Sequence, residues 1–500
     1  MTAFGQALHA EWTKFRTVPG WVLGAVAAAG LIMALGLLPG MQGSCGKHGP
    51  GSECVLPVGP GGEEVTDSFT FVHQPLTGDG GLTVRVTALT GRLPGPNPDQ
   101  PQPGVVPWAK AGLIVKAGLD PGSGYAAVMV TGGHGVRMQY DYTHDLAGRP
   151  GAVTAGAPRW LRLTRAGDTV TAAESADGTA WTTVGTVRLP GLPATVEAGL
   201  FVTSPQYTQE VHESLMSGSM GGPSQATGTF DHLAVRGGTG GEWRADRVGG
   251  VGNEPPVPDV QREGGVFRVT GSGDIAPAVP GGAGLGTSVT QTLAGTFVGL
   301  IVVVVLGTMS VTAEYRRRLV WTTFTACPGR VAVLAAKAVV AGGVAFTTGL
   351  VAAAVVVAFG QRVLRDNGVY VHPASTATEL RIVAGTAALL GVAAILALGL
   401  GTLLRRSVTA VTAAVLVIVL PYLLAMTVLP AGPATWLLRV SPAAAFAVQQ
   451  AAPVYPQVAN LYTPAGGYFP LPPWAGFAVL AGWAAVTLGT AAVMLRRRDA

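Results

Sequence analysis

Charge is scarce in this chain. Only 12% of its 500 residues are Asp, Glu, Lys or Arg, about half the share usual in soluble domains. A chain half dissolved in lipid is expected. The net charge of +5 does not point to nucleic acid, because the basic residues sit beside apolar runs rather than along one soluble face. A phosphate-cradling GxxxxGK[ST] loop is missing. Gly46-Lys47 is the nearest fragment and lacks the leading glycine and the hydroxyl residue, so ATP hydrolysis would have to come from another polypeptide. The apolar runs hold almost no ionisable groups, with Lys337, Glu379 and Arg381 near their ends. Intramembrane charges mark ion and proton pathways, and their scarcity argues against a proton-coupled transporter. His73, His134 and His144 are scattered without ligand spacing, so no metal site is expected.

What is present is apolar length. Crossing a bilayer core takes about 20 apolar residues. Six runs qualify, at 20–38, 287–312, 332–359, 379–404, 408–430 and 474–495. The first stands alone. A cleaved signal peptide is its alternative reading, but Gly24, Gly30 and Gly36 inside a long run favour a retained helix.

Lysine and arginine set the orientation. With the N-terminus inside, the inner segments hold Lys14 and Arg16, then Arg316, Arg317, Arg318 and Arg330, then Arg405 and Arg406, then Arg496, Arg497 and Arg498. The short outer loops hold only Arg362, Arg365 and Arg439. Both termini are therefore expected in the cytoplasm and the long insert outside. Cys45 and Cys54 fall just outside the first span, where a disulfide is plausible and two unpaired thiols are the alternative. Cys327 is expected to be a reduced thiol inside.

Two inner segments are amphipathic. Phe4, Leu8, Trp12 and Phe15 form one stripe over 2–16, which suits a helix lying in the membrane interface. Between spans two and three, Leu319, Trp321 and Phe324 follow three arginines, and Cys327-Pro328-Gly329 ends the helix. Arginines alone would anchor a loop; the apolar set asks for a partner surface.

HAEWTKFRT (9–17) and EYRRRLVWTTFTACPGRVAVLAAKA (314–338), with six spans, resemble the permease subunits of ABC-2-type exporters, especially actinobacterial ones. In that family the loop between spans two and three docks on an ATP-binding subunit. The resemblance implies a coupling loop at 313–330, with Glu314, Tyr315, Arg316, Arg317, Arg318, Leu319, Trp321, Phe324 and Pro328 at the contact. It also implies a bacterial plasma membrane, a homodimer or second permease subunit, and ATP and Mg held by the partner. No catalytic residue or cofactor is expected in this chain.

Residues 64–236 read as all-β, between a stalk at 40–63 and a Gly/Pro-rich tether at 237–286 with one more short hairpin. Trp160–Arg165 and Thr169–Ser175 flank Ala-Gly-Asp as a hairpin, and Asp177-Gly178 signals the next turn. The stretch 204–228 looks like a mobile loop. The motifs Trp108/Lys110–Leu113, Pro158/Trp160–Leu163/Arg165/Gly167/Asp168 and Ser175/Asp177/Gly178/Trp181 resemble bacterial concanavalin-like jelly-roll sandwiches. Glu174 and Asp177 are the nearest carboxylate pair for a glycosidase, but the turn accounts for Asp177 and ExDxxE is absent. Trp108, Trp160 and Trp181 could stack on a sugar, although aromatics on strands are more often core.

The expected protein is therefore a six-span α-helical membrane protein with an inserted all-β sandwich ectodomain. Its segments are 1–39 (interfacial helix and first span), 40–63, 64–236, 237–286 and 287–500. Its expected function is the membrane subunit of an ATP-driven exporter. A membrane-anchored extracellular glycan-binding or sensing protein is the alternative.

Overall fold

The computed structural model describes residues 3–37, 55–95, 100–213, 216–237, 241–249, 259–281, 286–317, 319–326 and 329–497. Helix α1 (Ala3–Thr17) leads into α2 (Pro19–Leu37). The β region then runs β1 (Val65–Asp67), β2 (Phe69–Thr77), β3 (Gly80–Leu93), β4 (Gln102–Pro103), β5 (Lys110–Lys116), β6 (Tyr125–Thr131) and β7 (Val136–Tyr140). It continues through β8 (His144–Ala147), β9 (Arg159–Ala166), β10 (Thr169–Ser175), β11 (Thr182–Arg188), β12 (Thr195–Thr203), β13 (Tyr207–Glu213) and β14 (Met216–Gly222). It closes with β15 (Gln225–Gly237), β16 (Arg244–Val248), β17 (Asp259–Glu263), β18 (Val266–Gly271) and β19 (Ile275–Pro277).

Two antiparallel sheets form from these strands, ordered β11-β10-β9-β3-β15-β18-β17 and β16-β2-β12-β5-β6-β7-β8. One apolar core lies between them, built from Leu82, Val84, Leu161 and Leu163 on one side and Leu113, Val128, Leu200 and Val202 on the other. Period-two alternation puts these residues on one face of each strand. At the β10–β11 turn, Gly178 has φ +79°, and a Cβ there would lie 2.8 Å from the Trp160 ring, so glycine is required on both counts.

The second sheet is buried on its other face as well. Phe69, Phe71, Ile114, Tyr125, Met129 and Phe201 form a second core with Val65, Tyr142, Val248 and Ile275. What covers them is the two-stranded pair β1–β19. All seven residues of β5 are consequently buried.

These pairings correct the expected boundary at 236. β16 extends the second sheet beside β2, and β18 pairs with both β15 and β17 in the first. The two segments expected as one hairpin thus join opposite sheets, and the stretch expected as a tether supplies four strands of the β region. Its end meets the segment that leads into α12, where Ala276 and Val279 pack on Val458. The expected loop at 204–228 contains the hairpin β13–β14.

Beyond the sandwich come α3 (Val289–Thr292), α4 (Thr296–Arg316), α5 (Leu319–Ala326), α6 (Arg330–Val355), α7 (Gln361–Asp366), α8 (Thr376–Leu404), α9 (Ser407–Ala414), α10 (Leu420–Thr427), α11 (Ala431–Val440) and α12 (Pro473–Arg497). π-helical turns join α6 to α7 and α9 to α10. Among the described residues, six helical stretches are long and apolar enough to cross a membrane: Pro19–Leu37, Thr296–Arg316, Arg330–Asp366, Thr376–Leu404, Ser407–Thr427 and Pro473–Arg497. Small residues bring them close. A Cβ on Gly307 would sit 2.8 Å from the Ala394 carbonyl oxygen, and one on Gly476 2.1 Å from that of Ala444.

The segment 431–449, expected as an outer loop, turns back into the bundle. α11 runs down beside α12 until the Trp483 indole donates to the Val440 carbonyl at 3.0 Å. A 3-10 helix, Pro442–Gln449, then returns fully buried. Gln449 donates to Thr296 and Thr386 at 3.1 Å each, which satisfies its amide inside the apolar core.

Candidate coupling site

Four charged side chains from three helices meet at the end of the bundle that carries α1. Lys337 of α6 lies 2.8 Å from Glu11 of α1 and 2.6 Å from Glu314 of α4. Lys14 of α1 bridges the same carboxylates at 2.8 and 3.1 Å. The cluster is neutral, and Lys337 and Glu11 are buried. A lysine two turns inside an apolar helix is tolerated because two carboxylates face it. Burial works against the charged form of Lys14, yet hydrogen bonding and attraction to Glu11 and Glu314 hold its pKa above the ordinary lysine value.

The cluster fixes how α1 lies. Its Ala7/Glu11 face is buried against the bundle, while Phe4 and Trp12 on the expected aromatic stripe are exposed. The helix therefore turns Glu11 inward and the Phe4 and Trp12 rings outward, as a helix bounded by lipid would.

Of the expected coupling residues, Glu314 belongs to this cluster. Tyr315 lies under the Arg405 guanidinium, 5.3 Å from ring centroid to carbon. Arg316 and Arg317 are exposed at the end of α4, and Leu319 is exposed at the start of α5. Trp321 and Phe324 lie on α5, with side chains outside the described residues. Arg318, Cys327 and Pro328 are outside them too, as are Cys45 and Cys54. Arg330 donates to the Leu495 carbonyl at 3.2 Å, holding the start of α6 to the end of α12.

Beside the cluster a half-open cavity of about 560 Å³ lies among α1, α2, α4, α5 and α6, charged at one end and apolar along its wall. The sequence reading missed Glu11, Lys14 and Lys337 as members of the site. All three are written in the two stretches that carry the permease resemblance, and an isolated lysine near a span end was the available signal.

The sandwich residues are engaged structurally. Trp108 is buried and stacks on His134 with centroids 4.0 Å apart. Arg162 covers the Trp181 ring at 3.7 Å, and Trp160 meets His232 edge-on at 5.3 Å. Glu174 accepts from the Arg149 amide at 2.6 Å. Asp177 accepts from the Thr179 and Ala180 amides, and those backbone bonds hold its carboxyl well below the usual range. His73 bridges Glu197 at 2.6 Å and Asp246 at 2.9 Å. Among the described residues no group of three or more His, Cys, Asp or Glu side chains is arranged to hold a metal ion.

No protein-family model matches the chain, and no curated protein matches it either. Among solved structures, scytalido-glutamic peptidase with a transition-state-analog inhibitor is similar over 43% of this chain and 100% of its own, with 12% identity and a TM-score of 0.25. A functionally unknown protein from Saccharomyces cerevisiae is similar over 38% of this chain and 84% of its own, with 15% identity and a TM-score of 0.23.

Proposed function

We propose that this chain is the membrane subunit of an ATP-driven ABC-2-type exporter in a bacterial plasma membrane. The observation that carries the proposal is the junction at α5. A short helix with Leu319 exposed follows two exposed arginines, and the helices before and after it are clamped to α1 by the Glu11–Lys14–Glu314–Lys337 cluster. Force applied at α5 would reach α1, α4 and α6 together. The arginine bias puts this end in the cytoplasm, where a separate ATP-binding subunit would hold ATP and Mg and push on 313–330. The β region is the external domain, a jelly-roll sandwich of concanavalin type in this reading. It is fastened to the bundle: Gln457 donates to the Thr143 carbonyl at 2.9 Å, and His372 lies 3.4 Å from Glu64.

The test is co-purification from cells carrying the neighbouring genes. The tagged full chain should bring down an ATP-binding subunit, and charge reversal at Arg316–Arg318 should uncouple its ATPase activity from transport. Recovery of the chain without such a subunit, with the reversal leaving transport untouched, would sink the exporter reading.

A second copy completes the bundle in this reading. Trp483 lies about 15 Å along α12 from Pro473, so the Val440 end of α11 sits near the middle of a bilayer core of about 30 Å. Arg439 is exposed there and Trp436 is 63% exposed. An arginine facing lipid at that depth costs about 3 kcal/mol, which a facing protomer or a wet path would relieve. With Cys45, Cys54 and Cys327 replaced by serine, Trp436→Cys should give a cross-linked dimer in membranes. A purely monomeric product would exclude this face as the contact.

A further inference from the structure

We propose that the cavity among α1, α2, α4, α5 and α6 binds one anionic phospholipid, its phosphate at Arg316 and Arg317 and its chains along the wall formed by Trp21, Leu306, Val340 and Val344. The inference shares Arg316 and Arg317 with the exporter reading but concerns a ligand of the chain itself, so it is tested without a partner subunit.

Size and shape come first. A cavity of about 560 Å³ falls in the range of small-molecule sites, and its half-open form lets the remainder of a lipid extend into the bilayer. Its lining is two-toned. The wall is apolar along parts of α2, α4 and α6, and the end is charged.

Charge then selects the ligand. The end carries Lys14, Lys337, Arg316 and Arg317 against Glu11 and Glu314. Both carboxylates are taken by the two lysines at 2.6–3.1 Å. The surplus is therefore two guanidinium groups, both exposed and without an ion pair among the described residues. A planar guanidinium matches phosphate oxygens in pairs. No carboxylate is left over to hold the ammonium of a zwitterionic headgroup, so the preference is for a net negative lipid. Basic pockets between spans at the cytoplasmic surface take such headgroups on the same physical grounds.

Position agrees. Arg316 and Arg317 end the span Thr296–Arg316, while Leu306, about 15 Å deeper, belongs to its apolar middle. That is the spacing between a phosphate and its acyl chains. α1 closes one side, with Phe15 in the lining.

The test titrates the delipidated full chain in mild detergent with pyrene-labelled phosphatidylglycerol and phosphatidylcholine. Phosphatidylglycerol should bind more tightly, and each of Arg316→Gln and Arg317→Gln should reduce that preference about fivefold. Val344→Trp, which fills the apolar part, should weaken both lipids. Inorganic phosphate at millimolar concentration should displace neither. Equal binding of the two lipids, a preference that survives the double arginine variant, or full displacement by phosphate would each overturn the proposal. Monodisperse elution of every variant separates lost binding from lost fold. No ATP-binding subunit is present in the assay, so its failure leaves the exporter reading as it stands.

Discussion

Lys337→Met is expected to destabilise the helical bundle by about 3 kcal/mol, the lower end of the range for breaking a buried ion pair. The ammonium of Lys337 lies within 2.8 Å of both Glu11 and Glu314. Removing it leaves two carboxylates facing each other between α1, α4 and α6. Lys14 still bridges them, which is why the lower end applies. Its own side chain is 44% exposed, so Lys14→Met should cost less than about 1 kcal/mol. The thermal midpoint of the detergent-solubilised full chain, read by size-exclusion fluorescence, separates the two variants. Adding Glu11→Gln to Lys337→Met should recover part of the loss, because one uncompensated charge is removed. Equal melting of Lys337→Met and the parent would mean that the cluster holds nothing together.

That cluster was only partly legible. Hydropathy shows the spans because each is a local property of about 20 consecutive residues, and the Asp177-Gly178 turn is equally local. Glu314 and Lys337 are 23 residues apart, but Glu11 lies 326 residues before Lys337 on a third helix, so no short window of sequence contains the whole cluster. The same physics hid the end of the β region. Strands β16, β18 and β19 are short and sit in Gly/Pro-rich surroundings, and two of their partners, β1 and β2, come about 200 positions earlier. Helix α11 was missed for another reason. It is ten residues long and amphipathic, below the length at which hydropathy signals a span, and only the Trp483–Val440 bond shows where it goes. The expected aromatic stripe on α1 was visible by periodicity, but that Glu11 faces inward follows from its partners alone.

Asp67→Asn should have the larger effect on the β region, about 3–5 kcal/mol. Lys116 and Asp67 have fully buried side chains with Nζ and Oδ2 2.8 Å apart. Asp67 Oδ2 also accepts from the Tyr142 hydroxyl at 2.7 Å and the Gly122 amide at 2.8 Å. This single oxygen therefore fastens β1 to the sheet, to the turn before β6 and to Tyr142, whose backbone is held at φ +61°. Such a conformation is costly for a bulky residue and persists where the surroundings over-determine it. Burial already lowers the Lys116 pKa, so without the Asp67 charge its ammonium would tend to lose its proton. The expected signature is release of the β1–β19 cover: faster amide exchange at Val65–Asp67 and Ile275–Pro277, with the sandwich core between the two sheets still protected. Replacing the pair by Lys116→Met and Asp67→Leu together should be milder than Asp67→Asn alone, since no charge is then left without a partner. Unchanged exchange in β1 and β19 of Asp67→Asn would show that the apolar contacts of Val65 and Ile275 suffice to hold the cover.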